Sequence, residues 1–401
     1  MRKFYIDGLG PRPHVSIGSQ ALVNATVEII ERRFGGSEYY FLSACPEVET
    51  EYLKQTGCRC RIVQRPNGLL GTYLQIRDIT RQVDAVVCPW GDAYISSGPH
   101  LAFRKVATFR RRSLPRMLMT SSVGPFEGGW RGWMAKAAMR QFDVLTVRDS
   151  VTYDLFKSVG LAKVQLLPDT AFVLKAAGPA RVKEILEAES IPVGPGFYVG
   201  VNASVLLFNR MQQLGADYIQ LMVNLIRRVK SLTGLPVVLI PHQIYTKRML
   251  DHYPRKRDRL LEADGDDREV LDLIYERLAD SREVYAIRGE YSCSDYKGLI
   301  SGCELFVGGR MHAVIAALSC GVCSLILEYS HKSRGLMEML SLEDYVWPIE
   351  DSPERLWEKL SVLYDRRDAY RKRLLEIMPG LVEDAYSAGA ALERTMRGED
   401  P

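Results

Sequence analysis

The sequence predicts an α/β protein with two Rossmann-like domains that face each other across a cleft. Three observations predict it. Short apolar runs alternate with helical patterns throughout the N-terminal half, which is typical of βαβ units and a parallel sheet. Residues 176–196 are rich in Pro, Gly and Ala around one short helix, as in an interdomain connector. A second alternation follows, so we expect domains at 1–180 and 195–401.

The first domain has seven candidate strands, which are KFYIDGL, EYYFLSA, CRCRIVQ, DAVVCPWG, RMLMTSS, DVLTVRD and VQLLPDT. Helical patterns separate them near residues 20–33, 47–56, 69–82, 100–112, 130–141 and 149–158. Helices of this length between strands are the crossover connections that a parallel sheet requires.

The second domain repeats this pattern with FYVGVNAS, LPVVLIPH, REVYAI, LFVGG and VCSLILE as strands. Helical patterns lie near 215–233, 268–280, 294–302 and 311–319. Polar helices after residue 351 are expected to complete this domain, and the last of them could return to the first domain.

Composition narrows the class of protein. The 401 residues are 47% apolar and 25% charged, which is ordinary for globular domains with sizeable cores. The net charge of +4 suits an anionic ligand but is too weak to indicate a nucleic-acid binder. The N-terminal MRKFYIDGLG is interpreted as a strand rather than a signal peptide, and no apolar run reaches the ~18–20 residues of a membrane span.

The eight cysteines are scattered, which favours a reducing cytoplasm. Cys320 and Cys323 have the spacing of a redox pair or half of a zinc site. They lie in an apolar run with no matching second pair, so we interpret them as buried structural thiols.

The densest basic stretch runs from Arg104 to Arg116. It is interpreted either as the solvated face of a helix or as a surface that contacts an anionic membrane or a lipid-linked substrate. The second interpretation would place the protein at the inner face of the membrane.

Polar side chains follow the predicted strands in both domains. In open α/β sheets, ligands bind beyond the carboxyl ends of the strands, so these side chains are the candidate site residues. They are Asp92, His100, Arg148, Asn202, Ser204, His242, Arg310, His312, Tyr329, Ser330 and Lys332.

The strongest group follows the LFV strand. Gly308 and Gly309 are expected to let the backbone turn tightly, and the helix that begins next has free N–H groups and partial positive charge. Arg310 and His312 at that helix start predict an anion site for phosphate or carboxylate, which Lys332 could reach from the next strand end. His312 can also move a proton near neutral pH.

A purely structural interpretation stays open for each of these residues. Arg310 could pair with an acidic neighbour, and His312 could be a satisfied core histidine. Arg148 could belong to a helix start that Asp149 or Ser150 caps.

The segment GGRMHAVIAALSCGVCSLILEYSHKSRGLMEMLSLEDYV resembles the signature of the polysaccharide pyruvyl transferase family. VRDSVTYDLFKSVGLAKVQLLPDTAFVL, IPHQ and IGSQALVNATVEII resemble weaker motifs of that family. Two departures are Trp90-Gly91-Asp92 at a turn that is usually glycine-rich, and Cys323 where a Pro is usual. The resemblance implies a GT-B-like architecture.

The resemblance also implies a reaction. Family members transfer the carbon skeleton of phosphoenolpyruvate onto a sugar and form a pyruvate ketal and phosphate, which requires neither a metal nor another cofactor. Arg310 and Lys332 would hold the anionic groups of the donor. The other donor-binding candidates are His242, Arg148, Asn202, Ser204, Tyr329 and Ser330.

Proton transfer is assigned to residues on both domains. His312 is the candidate acid that protonates the methylene carbon of phosphoenolpyruvate. His100 and Asp92 are the candidate bases on the acceptor side, with His14 in reserve. The acceptor is expected to be a sugar of a polysaccharide, an oligosaccharide or a lipid-linked precursor, and its identity stays open.

Two alternatives remain at this stage. One is a GT-B glycosyltransferase that uses a nucleotide sugar, with the region from Arg310 to Lys332 on the diphosphate. The other is a non-catalytic protein that binds an anionic glycan. The sequence leaves the oligomeric state open, with a homo-oligomer among the alternatives.

Overall fold

The computed structural model describes residues 1–8, 16–92, 94, 114–247, 250, 265–278, 280–329 and 331–400, with only the backbone at 331–333. The chain forms two compact units. Unit 1 comprises Met1–His14, Leu22–Leu174 and Gly380–Pro401, and unit 2 comprises Val15–Ala21 and Lys175–Pro379.

Unit 1 contains a parallel sheet of seven strands in the order β3-β2-β1-β4-β5-β6-β7. The strands are β1 (Lys3–Ile6), β2 (Glu38–Ser43), β3 (Arg59–Gln64), β4 (Ala85–Cys88), β5 (Arg116–Ser121), β6 (Val144–Val147) and β7 (Val164–Leu166). Each coincides with a strand predicted from the sequence. β4 and β6 are buried at every residue, as expected for strands covered on both faces.

The described helices of unit 1 are α1 (Ile17–Phe34), whose residues 17–21 group with unit 2, α2 (Pro46–Leu53), α3 (Leu69–Thr80), α4 (Gly129–Met139) and α5 (Ser150–Ser158). Apolar residues of α3, α4 and α5 share one core cluster, and those of α1 share a second cluster with residues 385–392. Two separate clusters mean that helices cover both faces of the sheet. The predicted helix at 100–112 lies outside the described residues.

Unit 2 contains a parallel sheet of six strands in the order β10-β9-β8-β11-β12-β13. The strands are β8 (Val199–Asn202), β9 (Val237–Leu239), β10 (Val284–Ala286), β11 (Leu305–Gly308), β12 (Cys323–Glu328) and β13 (Val346–Pro348). The first five were predicted. β13 was missed because three residues, VWP, are too short to show a periodicity.

The helices of unit 2 are α6 (Pro179–Ala188), α7 (Val205–Gln213), α8 (Tyr218–Thr233), α9 (Asp267–Glu276), α10 (Cys293–Ser301), α11 (Met311–Ser319), α12 (His331–Met339) and α13 (Pro353–Asp365). The helix α7 was not predicted. It begins three residues after the end of β8, and the Ser204 hydroxyl before it accepts a hydrogen bond from the Leu207 N–H at 3.2 Å.

The last helix, α14 (Arg367–Met396), belongs to both units. The predicted second domain extended to residue 401, with a return of the last helix to the first domain left open, and residues 380–401 do group with unit 1. The reason is packing, because Ala385, Ala388 and Leu392 of α14 share a core cluster with Val23 and Ile30 of α1. Residues 15–21, predicted in the first domain, group with unit 2.

Candidate active site

The carboxyl ends of four adjacent strands of unit 2 meet at one edge of its sheet, which we call the carboxyl edge. β9, β8, β11 and β12 are consecutive in the sheet order. Gly308 pairs in register with Asn202 on one side and Ile326 on the other. The residues that follow these strands therefore emerge side by side, as predicted.

Asp267 joins three of these strand ends. Its side chain is fully buried, and its two oxygens accept hydrogen bonds from the N–H groups of Val205, His242 and Gln243 at 2.9–3.2 Å. Arg310 donates from Nη2 at 2.6 Å and from Nε at 3.2 Å to the same carboxyl group. All five partners are donors, so the geometry fits the ionised carboxylate.

Arg310 is the residue immediately before α11, and its backbone N–H donates to the Asn202 side chain at 3.2 Å. Its Nε and Nη2 face Asp267, whereas its Nη1 makes no hydrogen bond to any residue that the structure describes. The side chain keeps 14% of its surface exposed. Asp267 therefore fixes the guanidinium in a position that leaves one nitrogen for an anionic ligand.

Asn202 and Ser204 form hydrogen bonds that stabilise the backbone around the end of β8. Asn202 is fully buried, and its Nδ2 donates to the Ile240 carbonyl at 3.0 Å while its Oδ1 accepts from Arg310. The backbone N–H of Ser204 donates to the Tyr218 hydroxyl at 3.3 Å, in addition to the cap that its side chain makes on α7. Both residues lie at the carboxyl edge, where they hold neighbouring strand ends in place.

Two imidazoles lie beside Arg310. His242 is buried, and burial, followed by the charges of His312 and Arg310, lowers its pKa well below the ordinary value. His242 is therefore neutral at pH 7. His312, the second residue of α11, is half-buried and is thus the more accessible of the two.

The start of α1 packs against this pair. The Ile17 N–H donates to the His242 carbonyl at 3.2 Å, and Ser16 forms an isolated antiparallel bridge with Gln243. A Cβ atom on Gly18 would lie 2.3 Å from Nδ1 of His312 and 2.6 Å from its Cγ. Only glycine allows the helix backbone to approach the imidazole this closely.

Replacement of Gly18 by Ala is expected to displace the His312 ring, because the added methyl group cannot occupy the space of Nδ1 and Cγ. We expect kcat to fall by about tenfold or more with a smaller change in donor affinity. Steady-state kinetics and the histidine NMR signals of the variant would show this. Gly380→Ala is the matched control, because Gly380 is a helix glycine without a positive φ and with open space around it.

The last residue of β12 forms a second ion pair with α12. Glu328 is buried and accepts a hydrogen bond from Nη2 of Arg334 at 2.7 Å. Burial opposes the charged form of Arg310, but Asp267 and, to a smaller extent, Tyr329 raise the pKa of its guanidinium. Ser330 and the side chain of Lys332 lie outside the described residues, so their predicted roles stay predictions.

Gly308 and Gly309 have a different role from the predicted turn. Neither adopts a positive φ. A Cβ on Gly309 would lie 2.1 Å from Cδ1 of Leu207, and one on Gly308 would lie 2.9 Å from Cβ of Asn202. The glycines therefore allow close packing of β11 against α7 and β8.

The remaining candidates belong to unit 1. Arg148 is buried; its Nη1 donates to Asp169 at 2.5 Å and its Nε to the Ser122 hydroxyl at 3.0 Å. Asp149 caps α5 through the Thr152 N–H at 2.7 Å, as the structural interpretation expected. Asp92 is exposed just after β4. His14 and His100 lie outside the described residues.

The described part of the chain offers neither a metal-binding cluster nor a helix suited to a membrane. No group of three or more His, Cys, Asp and Glu side chains there is arranged to hold a metal ion. None of its helices combines the length and the apolar character that crossing a bilayer demands.

Residues 17–331 match the polysaccharide pyruvyl transferase family, so the chain belongs to that family. A relative, the amylovoran biosynthesis protein AmsJ of Erwinia amylovora, is 23% identical over 277 residues. The aligned region covers 68% of this chain and 63% of the relative's length.

Solved structures share the fold at low identity. UDP-GlcNAc 2-epimerase from Neisseria meningitidis, bound to UDP-GlcNAc, superposes with a TM-score of 0.60 at 11% identity and complete coverage of both chains. Anabaena Alr3699/HepE, in complex with UDP and glucose, has a TM-score of 0.62 at 11% identity, covering 99% of this chain and 100% of its own. The predicted GT-B-like α/β fold with two parallel-sheet domains is confirmed.

Three residues of the carboxyl edge were missed by the sequence analysis: Asp267, Arg334 and Gly18. Asp267 is the second of two adjacent Asp residues in the polar stretch GDDREV. Its position at the start of a predicted helix was the available signal, but the ion pair with Arg310 connects residues 43 positions apart. No sequence pattern encodes that contact.

Proposed function

We propose that this protein transfers the pyruvyl group of phosphoenolpyruvate to two hydroxyls of a sugar, forming a pyruvate ketal and releasing phosphate. Family membership supports the transfer of a pyruvyl group. The observation that carries the proposal is Arg310, which Asp267 orients and whose Nη1 is left without a described protein partner beside His312 and neutral His242.

The reaction is balanced without an oxidant or a reductant. The methylene carbon of phosphoenolpyruvate takes up a proton, and two C–O bonds form between its C2 and the sugar hydroxyls. The bond between C2 and the phosphate oxygen breaks. Of the two hydroxyl protons, one balances the new methyl group and the other leaves with phosphate.

Each residue of the carboxyl edge suits a step of this reaction. Nη1 of Arg310 would donate to an anionic oxygen of the donor, with the partial positive charge at the start of α11 beside it. His312 would protonate the methylene carbon, since it is the accessible imidazole. Buried, neutral His242 would add a hydrogen bond without adding charge. Lys332 remains a proposed second anchor.

The polysaccharide context is also part of the proposal. The relative from Erwinia amylovora is named for amylovoran biosynthesis. We therefore place this protein in the biosynthesis of an extracellular polysaccharide, with a sugar of the glycan or of its lipid-linked precursor as acceptor.

Replacement of Arg310 by Ala tests the donor site. The variant loses a charge-assisted contact of about 1.5–3 kcal/mol, so we expect kcat/KM for phosphoenolpyruvate to fall roughly 10- to 100-fold. Arg310→Lys should recover only part of the lost kcat/KM. The lysine ammonium is a point charge, so it cannot contact Asp267 and the ligand at once as the planar guanidinium does. Phosphate release with a glycoside panel provides the measurement.

Arg277→Ala is the matched control, because Arg277 is an exposed arginine of unit 2 whose contact with Asp217 is a surface pair. Thermal unfolding must accompany the kinetics, since Arg310→Ala also leaves Asp267 without its counter-ion. A folded Arg310→Ala variant with unchanged kinetics for phosphoenolpyruvate would exclude Arg310 as a donor anchor.

A further inference from the structure

Two helices of unit 1 place large apolar side chains in solvent. Trp130 and Trp133 of α4 are 64% and 63% exposed, and Leu69 and Leu70 of α3 are 77% and 72% exposed. Tyr73 and Leu74 on the next turn of α3 are also exposed. A helix on the surface of a globular domain usually turns polar residues outward, so these six residues require an explanation.

The topology places both groups on one side of unit 1. Ile76 and Ile79 of α3 share a core cluster with Ala138 and Met139 of α4, so the two helices cover the same face of the sheet. Each helix connects two parallel strands and therefore starts at the carboxyl ends of those strands. The exposed apolar residues lie in the first half of each helix and so share one end of that face.

The charge around the tryptophans is positive. Residues 129–140 contain Arg131, Lys136 and Arg140 but no Asp or Glu. The guanidinium of Arg131 lies 5.5 Å above the Trp130 ring and contacts one acid, Glu127. The combination of exposed indoles with Lys and Arg is typical of helices that lie in an anionic lipid interface.

We propose that α4, together with the start of α3, docks the protein on a membrane surface rich in anionic lipid. Indole rings prefer the headgroup region of a bilayer, and basic side chains add attraction to anionic lipids. Phe197 and Leu375 of unit 2 are just as exposed, but they lie far apart in sequence and carry no such pattern. Membrane docking itself does not depend on the proposed function. Only one consequence does: if the protein transfers a pyruvyl group, docking favours a lipid-linked acceptor over a free glycan.

Sedimentation of the full-length protein with vesicles tests the proposal. The probes are vesicles of equimolar phosphatidylglycerol and phosphatidylcholine, and vesicles of phosphatidylcholine alone. We expect binding to the anionic vesicles that weakens as salt is raised, and about tenfold weaker binding for the Trp130→Ser, Trp133→Ser double variant. Phe197→Ser is the matched control and should bind like the parent protein.

Three results would overturn the proposal. The first is that the parent protein does not bind anionic vesicles. The second is that the Phe197→Ser control loses as much vesicle binding as the double variant. The third is that the double variant binds as tightly as the parent protein. Membrane docking would also be overturned if the parent protein self-associated in sedimentation velocity and the double variant did not. The surface would then be an interface between two copies of the chain. The vesicles contain neither donor nor acceptor, and phosphate release on a water-soluble acceptor should be unchanged in the double variant, so failure here is separable from failure of the proposed function.

Discussion

The His312→Gln variant is expected to lose about 100-fold or more in kcat while it retains most of its affinity for phosphoenolpyruvate. Glutamine keeps much of the shape and some hydrogen bonding of histidine, but it cannot deliver a proton. Donor binding should persist because Arg310 and the start of α11 are unchanged. Calorimetry measures the affinity, and phosphate release with a competent acceptor measures the turnover.

The comparison between these two measurements decides the role of His312. A loss of affinity with unchanged kcat would make His312 an anchor, and the acid would then be another residue. His312→Ala with added imidazole is a second test. A gain of turnover with imidazole, and none with a non-basic additive of similar size, would support proton transfer at this position.

The Asp267→Ala variant is expected to lose about 3–5 kcal/mol of stability in unit 2, because it leaves the Arg310 guanidinium as an unpaired charge. The substitution also removes the acceptor for the N–H groups of Val205, His242 and Gln243. Hydrogen exchange measured on peptides of unit 2 reports this loss separately from unit 1, which should be unaffected.

Asp272→Ala is the matched control on the same helix, since Asp272 is half exposed and forms a surface pair with Arg288. Its effect should remain within about 0.5 kcal/mol of the parent. An equally small effect for Asp267→Ala would contradict the role of Asp267 as the residue that joins the strand ends and orients Arg310.

Most of the fold could be predicted because its signals are local. Twelve of the thirteen strands in the described part of the chain correspond to predicted apolar runs, and α11 coincides with the predicted apolar helix. The position of Arg310 and His312 at a helix start was predictable for the same reason. Parallel sheets align their carboxyl ends, so His242 could also be placed at that edge.

The features that the sequence did not predict depend on contacts between residues far apart in the chain. The helix start at Asp267 looks polar in sequence, yet in the structure its carboxylate is fully buried and accepts hydrogen bonds from N–H groups that follow β8 and β9. In the sequence Gly18 is an ordinary helix residue, whereas in the structure His312, nearly 300 positions away, packs against it. The assignment of residues 380–401 to unit 1 likewise depends on packing between chain ends.

The most direct test of pyruvyl transfer follows a carbon label from phosphoenolpyruvate into the acceptor. The purified protein is incubated with phosphoenolpyruvate labelled in its carboxylate and with a panel of glycosides, and the products are separated by charge. We expect a labelled, newly anionic glycoside that forms in equal amount to released phosphate and loses its label on mild acid treatment, as a ketal does. Phosphate release that leaves the glycoside unlabelled, or glycosyl transfer from a nucleotide sugar with no use of phosphoenolpyruvate, would contradict it.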